Sequence, residues 1–372
     1  MKKNISIILF ISVAILACVY FTFAKISPGI QEYNDAPHIF LSNDSIVNIM
    51  EIGQDRNSKD LNNPKIISKF QEMSYAELSN YLFEENLNIE LSDNGLQNKF
   101  NNIEKVIAIG DVHGEYDALI TLLKSNKIIS DNLEWNFDNG HVVFCGDVFD
   151  RGEKVTETLL FIYKLEKQAE KAGGKVHFIL GNHELMVLSG NLKYLNKKYK
   201  YIQNETGINY SYLYNNNTLI GKWIRSKNAV LKINDILFVH GGIHPDFVKK
   251  DYTIEAINSY IKGYLNHTDL NQHVIDLIGI NGPLWYRGYL KEDEGKPAIN
   301  KTDIDEILKK FDAKKIVFAH TTVNEITPLF ENRLIAIDVP LSDKKGEALI
   351  IQNDKYSVIT INGERKELQI SR

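Results

Sequence analysis

Val142-Val143-Phe144-Cys145-Gly146-Asp147-Val148-Phe149-Asp150-Arg151-Gly152 is the stretch from which the rest of the chain can be read. Four apolar residues run unbroken into a glycine and an aspartate, the pattern of a short strand covered on both faces that ends in a tight turn. The arrangement recurs four times. Residues 106–109 run into Gly110-Asp111, residues 176–180 into Gly181-Asn182-His183, Ile236–Val239 into His240-Gly241-Gly242, and residues 316–319 into His320. Helical stretches at Tyr116–Ser125 and 154–172 separate several of these runs, so the chain reads as βα units of an α/β fold. Later apolar runs at 334–337, 348–351 and 356–361 have short connections and are expected to form an antiparallel meander. Upstream, residues 39–41 and 46–52 read as two short strands, 57–64 as a polar loop and Tyr75–Phe83 as a helix.

Composition bounds what such a fold can do. With 372 residues the chain holds one large domain or two ordinary ones, and 44% apolar with 24% charged residues is ordinary for a globular protein. Forty-three Lys and Arg against 48 Asp and Glu leave a net charge of -5, so no basic field exists for a nucleic-acid backbone and no nucleic-acid partner is expected. Two cysteines, Cys18 and Cys145, cannot build a disulfide framework. Cys145 sits inside an apolar run and is expected to be packed and inert.

The N-terminus reads as an export segment. Lys2 and Lys3 precede an apolar run over residues 5–24, the order of a basic and then a hydrophobic region. Three outcomes stay open: an uncleaved anchor, since the run can span a bilayer; a cleaved signal with a small-residue site at 22–24; or a lipoprotein, from Ile15-Leu16-Ala17-Cys18. The expected organisation is an export segment at 1–24, a tether at 25–37, a strand-helix extension at 38–104 and a catalytic domain at 105–372. The protein is then expected outside the cytoplasm, membrane-anchored or periplasmic or secreted, and touching the membrane only if uncleaved or lipidated.

In open α/β sheets, ligands bind at the carboxyl ends of the strands. Here five strand ends carry Asp111 with His113, Asp147, Asn182, His240 and His320. Taken singly each is an ordinary turn, helix cap or core histidine; five together at successive strand ends point to a metal site. Mixed oxygen and imidazole donors without thiolates suit Mn, Fe or Zn, and the donor set alone does not choose among them. Six donors exceed one tetrahedral ion and suit two divalent ions sharing a carboxylate. Two ions about 3.5–4 Å apart can activate a water and stabilise both oxygens of an in-line displacement.

Gly110-Asp111-Val112-His113-Gly114, Gly146-Asp147 through Gly152, Gly181-Asn182-His183-Glu184, His240-Gly241-Gly242 and Ala319-His320-Thr321 stand in order, each after a strand. Together they resemble the calcineurin-like metallophosphoesterases, in their phosphoprotein-phosphatase branch, over residues 105–340. Glu184-Leu185-Met186 through Ser189-Gly190 to Tyr194, His240 through Pro245, and Gly282-Pro283-Leu284-Trp285-Tyr286-Arg287-Gly288 further resemble the Shewanella-like phosphatases. The resemblance implies two packed mixed β-sheets flanked by helices, a four-layer αββα sandwich. It implies Asp111 and His113 at the first metal, Asp147 bridging, and Asn182, His240 and His320 at the second. Arg151 and Arg287 would bind phosphate, and His183 paired with Asp150 would give a proton to the leaving oxygen. The implied activity is phosphomonoester hydrolysis, on phosphoproteins, phosphopeptides or a small phosphoester, by a metal-bridging hydroxide attacking in line.

The chemistry agrees with those roles. A guanidinium grips phosphate oxygens bidentately, and an imidazole held by a carboxylate keeps one tautomer and can act as a general acid. Phosphotyrosine and phosphoserine/threonine both remain open as substrates. The alternative enzyme is a nucleotide or dinucleoside polyphosphate hydrolase. A non-enzymatic binding module would lack a ligand or proton donor, and none is missing. Glu184 reads as orienting its loop, His244 as a loop hydrogen bond or a partner near the metals, and Trp285 and Tyr286 as pocket lining or packing beneath Arg287. Residues 185–232, rich in Tyr, Asn and Lys, read as a solvated helix face or loop, or as a cap over the metal cleft whose aromatics contact substrate.

Overall fold

The computed structural model describes residues 33–369 apart from 43–45, 56, 59, 61–63, 84–96, 251, 268–270, 291–298 and 342–344. The export segment and most of the tether therefore lie outside the described residues. Among the described residues no helix is long and apolar enough to cross a membrane.

Three sheets are present among the described residues. Strands β1 (Asp35–Leu41), β2 (Ile46–Gln54) and β3 (Ile66–Ser74) form an antiparallel sheet, followed by helix α1 (Tyr75–Phe83). The next strands are β4 (Lys99–Phe100), β5 (Lys105–Ile109), β6 (His141–Phe144), β7 (Lys175–Phe178), β8 (Val230–Ile233) and β9 (Ile236–Val239). Then come β10 (Lys315–Phe318), β11 (Thr327–Leu329), β12 (Leu334–Ala336), β13 (Glu347–Gln352), β14 (Lys355–Thr360) and β15 (Arg365–Glu367). They build two six-stranded sheets, ordered β15-β14-β13-β5-β6-β7 and β11-β12-β10-β9-β8-β4. Strands β5, β6 and β7 run parallel, as do β9, β10 and β12, and both sheets are mixed.

Side-chain alternation along each strand explains the layering. Val106 and Ala108 of β5, Val143 of β6, Phe238 of β9 and Val317 of β10 belong to one buried cluster, which fills the space between the two sheets. Their neighbours Ile107, Ile109, Val142, Phe144, Leu237 and Phe318 belong to a second cluster with the helices. Helices α2 (Tyr116–Ser125) and α3 (Val155–Lys171) supply Leu119, Leu122, Leu159 and Ile162 to it. The αββα expectation is therefore met. Burying each such aliphatic side chain stabilises the fold by roughly 1.5–3 kcal/mol before entropy is counted.

Several sequence expectations need correction. The run at 334–337 does not join a meander: β12 lies parallel to β10 in one sheet, while β13 and β14 pair antiparallel in the other. The tether ends early, because β1 begins at Asp35, whose carboxylate is buried against His38 at 2.9 Å. The N-terminal extension has three strands; β3 escaped notice because most of its residues are exposed and carry no apolar pattern. The core also starts before residue 105, since β4 pairs with β8.

Candidate active site

Every parallel strand that matters ends at one place, and the backbone there is unusual. His113, Asp147, Asp150, Arg151 and His320 all have left-handed backbones, with φ of 46°, 54°, 67°, 63° and 65°. Such conformations cost non-glycine residues energy and persist only where the surroundings over-determine them. Gly146 is needed at φ 91°, where a Cβ would also lie 2.6 Å from the Gly181 nitrogen.

Glu184 does much of the over-determining. It lies on α4 (Asn182–Leu188) and is fully buried. One oxygen accepts the N–H groups of Asp147 (2.8 Å) and Gly181 (2.7 Å), and the other those of Val148 (2.8 Å) and Phe149 (3.3 Å). The four N–H donors favour the ionised carboxylate, while burial and then the Asp147 charge push its pKa upward. The expected loop-orienting role is what the geometry provides.

Each imidazole is fixed through one nitrogen so that the other faces the centre. The Phe149 carbonyl accepts His113 Nδ1–H at 2.7 Å, the Cys145 carbonyl accepts His240 Nδ1–H at 2.7 Å, and the Trp285 carbonyl accepts His320 Nε2–H at 3.1 Å. Carbonyls can only accept, so these bonds set the tautomers. His240 Nε2 then has Asn182 Oδ1 at 3.0 Å, His320 Nδ1 at 3.1 Å and an Asp147 oxygen at 3.2 Å around it. His113 Nε2 is buried without a hydrogen-bond partner, 3.6 Å from Asp111 and 3.8 Å from Asp147. Two triads, His113/Asp147/His183 and Asp147/His240/His320, each bring ligand atoms within 4.8 Å of one another. Asp147 belongs to both triads, and His183 stands in the first where Asp111 was expected. An orphaned imidazole nitrogen and converging oxygen and nitrogen donors fit two divalent cations.

The electrostatics of these side chains support this. Burial opposes charge on His113 and His240, yet Asp111 and Asp147 overcome it and raise the two pKa values to about 9 and about 10. Burial, then the neighbouring His240 charge, lowers His320 to about 3. Burial also opposes the Asp147 charge, but His240 and His183 hold that carboxyl well below its usual range. His113 and His240 thus favour their protonated forms beside an ionised Asp147, and bound cations would displace those protons.

The other expected residues are placed as follows. His183 Nδ1–H donates to Asp150 at 2.7 Å, and its Nε2 stands 3.8 Å from Asp147. Arg151 is exposed at the rim, and Arg287 is half-buried, donating to the His320 carbonyl at 2.7 Å. His244 makes the loop contact, accepting the Asp246 N–H at 3.1 Å, with its ring edge-on to Tyr286. Tyr286 is buried packing, whereas Trp285 is half-buried with its ring 6.1 Å from that of His320. Cys145 is buried, and burial raises its thiol pKa.

The segment at 185–232 is more deeply packed than a solvated helix face or loop. Tyr199, Tyr210 and Tyr214 are buried in the main core, and β8 is part of a sheet. The exposed aromatics there are Tyr194 and Tyr212, at 42% and 56%. Tyr194 lies against His183, ring centroids 5.2 Å apart. Sequence reasoning missed Asp338, buried just beyond β12, which accepts the Thr322 hydroxyl at 3.0 Å. Burial and then Asp111 raise its pKa to about 7. The sequence carries a signal for it, because residues 334–337 run into Asp338 as the other strands run into the candidate ligands.

Comparison with known proteins agrees with this geometry. The calcineurin-like phosphoesterase family profile matches residues 104–324. The chain is 30% identical to Shewanella-like protein phosphatase 1 of Plasmodium berghei, over 67% of this chain and 71% of that protein. It is 26% identical to Shewanella-like protein phosphatase 2 of Arabidopsis thaliana, over 73% and 81%. A crystal structure of a cold-active protein-tyrosine phosphatase from a psychrophilic Shewanella superposes with a TM-score of 0.76 at 32% identity, covering 90% of this chain and 99% of that one.

Proposed function

This chain belongs to the calcineurin-like phosphoesterases and is a metal-dependent phosphatase, and we propose that it removes phosphate from phosphorylated proteins or peptides. When bound, two divalent ions supply water activation and neutralise charge on the phosphoryl oxygens. Asp111, His113 and Asp147 would hold one ion; Asp147, Asn182, His240 and His320 would hold the other. Arg151 and Arg287 engage the remaining phosphate oxygens. His183 delivers the proton on Nε2 to the leaving oxygen, while Asp150 keeps the ring oriented through Nδ1.

The observation that carries this reading is the His183–Asp150 pair, its 2.7 Å bond aiming Nε2 at the metal cluster. A leaving group beside His183 meets the exposed Tyr194 ring. An aromatic leaving group there would pair with that ring, which supports phosphotyrosine over phosphoserine. Export rests on Lys2, Lys3 and the apolar run after them, and would put the substrate outside the cytoplasm. The test is hydrolysis of p-nitrophenyl phosphate against bis(p-nitrophenyl) phosphate. The monoester should be strongly preferred; preference for the diester would contradict the proposal.

A further inference from the structure

We infer that Asn196 is a positioning residue that holds Arg151 in the backbone conformation presenting its guanidinium to phosphate. The inference rests on the reading of Arg151 as a phosphate ligand. Asp150 and Arg151 are consecutive non-glycine residues with left-handed φ of 67° and 63°, a pairing that needs outside support. That support comes from one short segment. The Arg151 N–H donates to the Tyr194 carbonyl at 3.2 Å, and Asn196 Nδ2 donates to the Arg151 carbonyl at 2.6 Å. Both backbone polar groups of Arg151 are thus held by residues two positions apart.

The same segment continues the grip downstream. Lys198 Nζ and the Tyr199 hydroxyl donate to the Glu153 carbonyl at 2.8 and 3.0 Å, and the Tyr199 oxygen accepts the Val155 N–H at 2.8 Å. Lys198 is buried between Asp35 of β1 at 3.9 Å and Glu157 at 3.6 Å. The N-terminal sheet therefore backs the segment that backs Arg151. Among these residues Asn196 is only half-buried, and its amide has two separable functions. Its oxygen caps helix α5 (Lys197–Thr206) by accepting the Lys198 N–H at 2.8 Å, while its nitrogen serves Arg151.

Asn196→Asp keeps the cap and removes the donor. It should weaken competitive inhibition by inorganic phosphate about 2–10-fold, the scale of one net hydrogen bond, with both metal ions retained. In an Arg151→Ala background the same change should add less than about twofold, because its route is gone. Asn196→Ser, also a cap former, should shift phosphate inhibition in the same direction should the aspartate variant fold poorly. Unchanged phosphate inhibition in a folded variant, or an equal loss in the Arg151→Ala background, overturns the inference. The underlying reading fails separately: Arg151→Ala that leaves phosphate inhibition unchanged refutes Arg151 as a ligand and the clamp with it.

Discussion

Replacing Glu184 by Gln tests whether one buried carboxylate holds the metal loop in place. The substitution preserves shape and removes the charge. Glu184 accepts four backbone N–H groups, two on each oxygen. A glutamine has one carbonyl oxygen, so two of those donors must face an NH₂ group whichever way the amide turns. Hydrogen bonds to a charged acceptor are worth about 1.5–3 kcal/mol each, so losing two costs ~3–6 kcal/mol. That is a large part of the 5–15 kcal/mol by which a domain is ordinarily stable. At about 1.3 °C per kcal/mol for a chain of 372 residues, the metal-free protein should melt about 4–8 °C lower. The Asp147 N–H is one of the four donors, so metal affinity should fall with it. The assay is thermal unfolding followed by circular dichroism, in chelator and with Mn²⁺, beside metal analysis of the dialysed protein. A variant melting within a degree of wild type and retaining two ions per chain would refute the reasoning.

Other substitutions separate the remaining roles. His183→Ala should keep both metals and lose roughly 10²–10⁴-fold in kcat, with the loss greatest for phosphoesters of poor leaving groups; near-wild-type turnover would remove His183 as proton donor. Asp147→Asn should disturb both metal sites, so two ions per chain by elemental analysis would count against a bridging carboxylate. Arg287→Ala should weaken phosphate inhibition and leave the metal content intact; unchanged inhibition would contradict its role. His141 and His177 share one hydrogen bond at 2.9 Å, and burial lowers both pKa values, His141 to about 4. Between about 4 and 6.5 the unfolded chain binds the protons the folded chain refuses, so stability should fall as pH drops through that window. His177→Phe should flatten this acid limb in urea unfolding, and an unchanged slope would show that the pair does not titrate there.

Much of this was legible because the site sits where sequence pattern is strongest. Short apolar runs buried on both faces end in Gly-Asp, Asn-His or His, so the sequence marks strand ends and candidate ligands together at Asp111, Asp147, Asn182, His240 and His320. What failed to show depends on partners distant in sequence. Asp338 stands at the end of a run that looks like a meander strand; only the parallel pairing of β12 with β10 brings its carboxyl end to the His320 end of the sheet. Strand β3 lacks an apolar pattern because most of it faces solvent. The burial of Tyr199, Tyr210 and Tyr214 was hidden by their polar neighbours in sequence. The Tyr210 and Tyr214 hydroxyls lie 3.3 Å apart, and Tyr214 pairs with Thr156 at 2.7 Å, bonds that make such burial tolerable. The support of Arg151 by Asn196 spans 45 residues and has no local signature.

The most direct measurement is turnover by the Mn²⁺-loaded protein of a phosphotyrosine peptide, a phosphoserine peptide and a dinucleoside polyphosphate at equal concentration, each with a chelated control. The account predicts metal-dependent release of phosphate from peptides, fastest from phosphotyrosine, and little hydrolysis of the polyphosphate. Fastest cleavage of the polyphosphate, or phosphate release that survives removal of the metals, would contradict it.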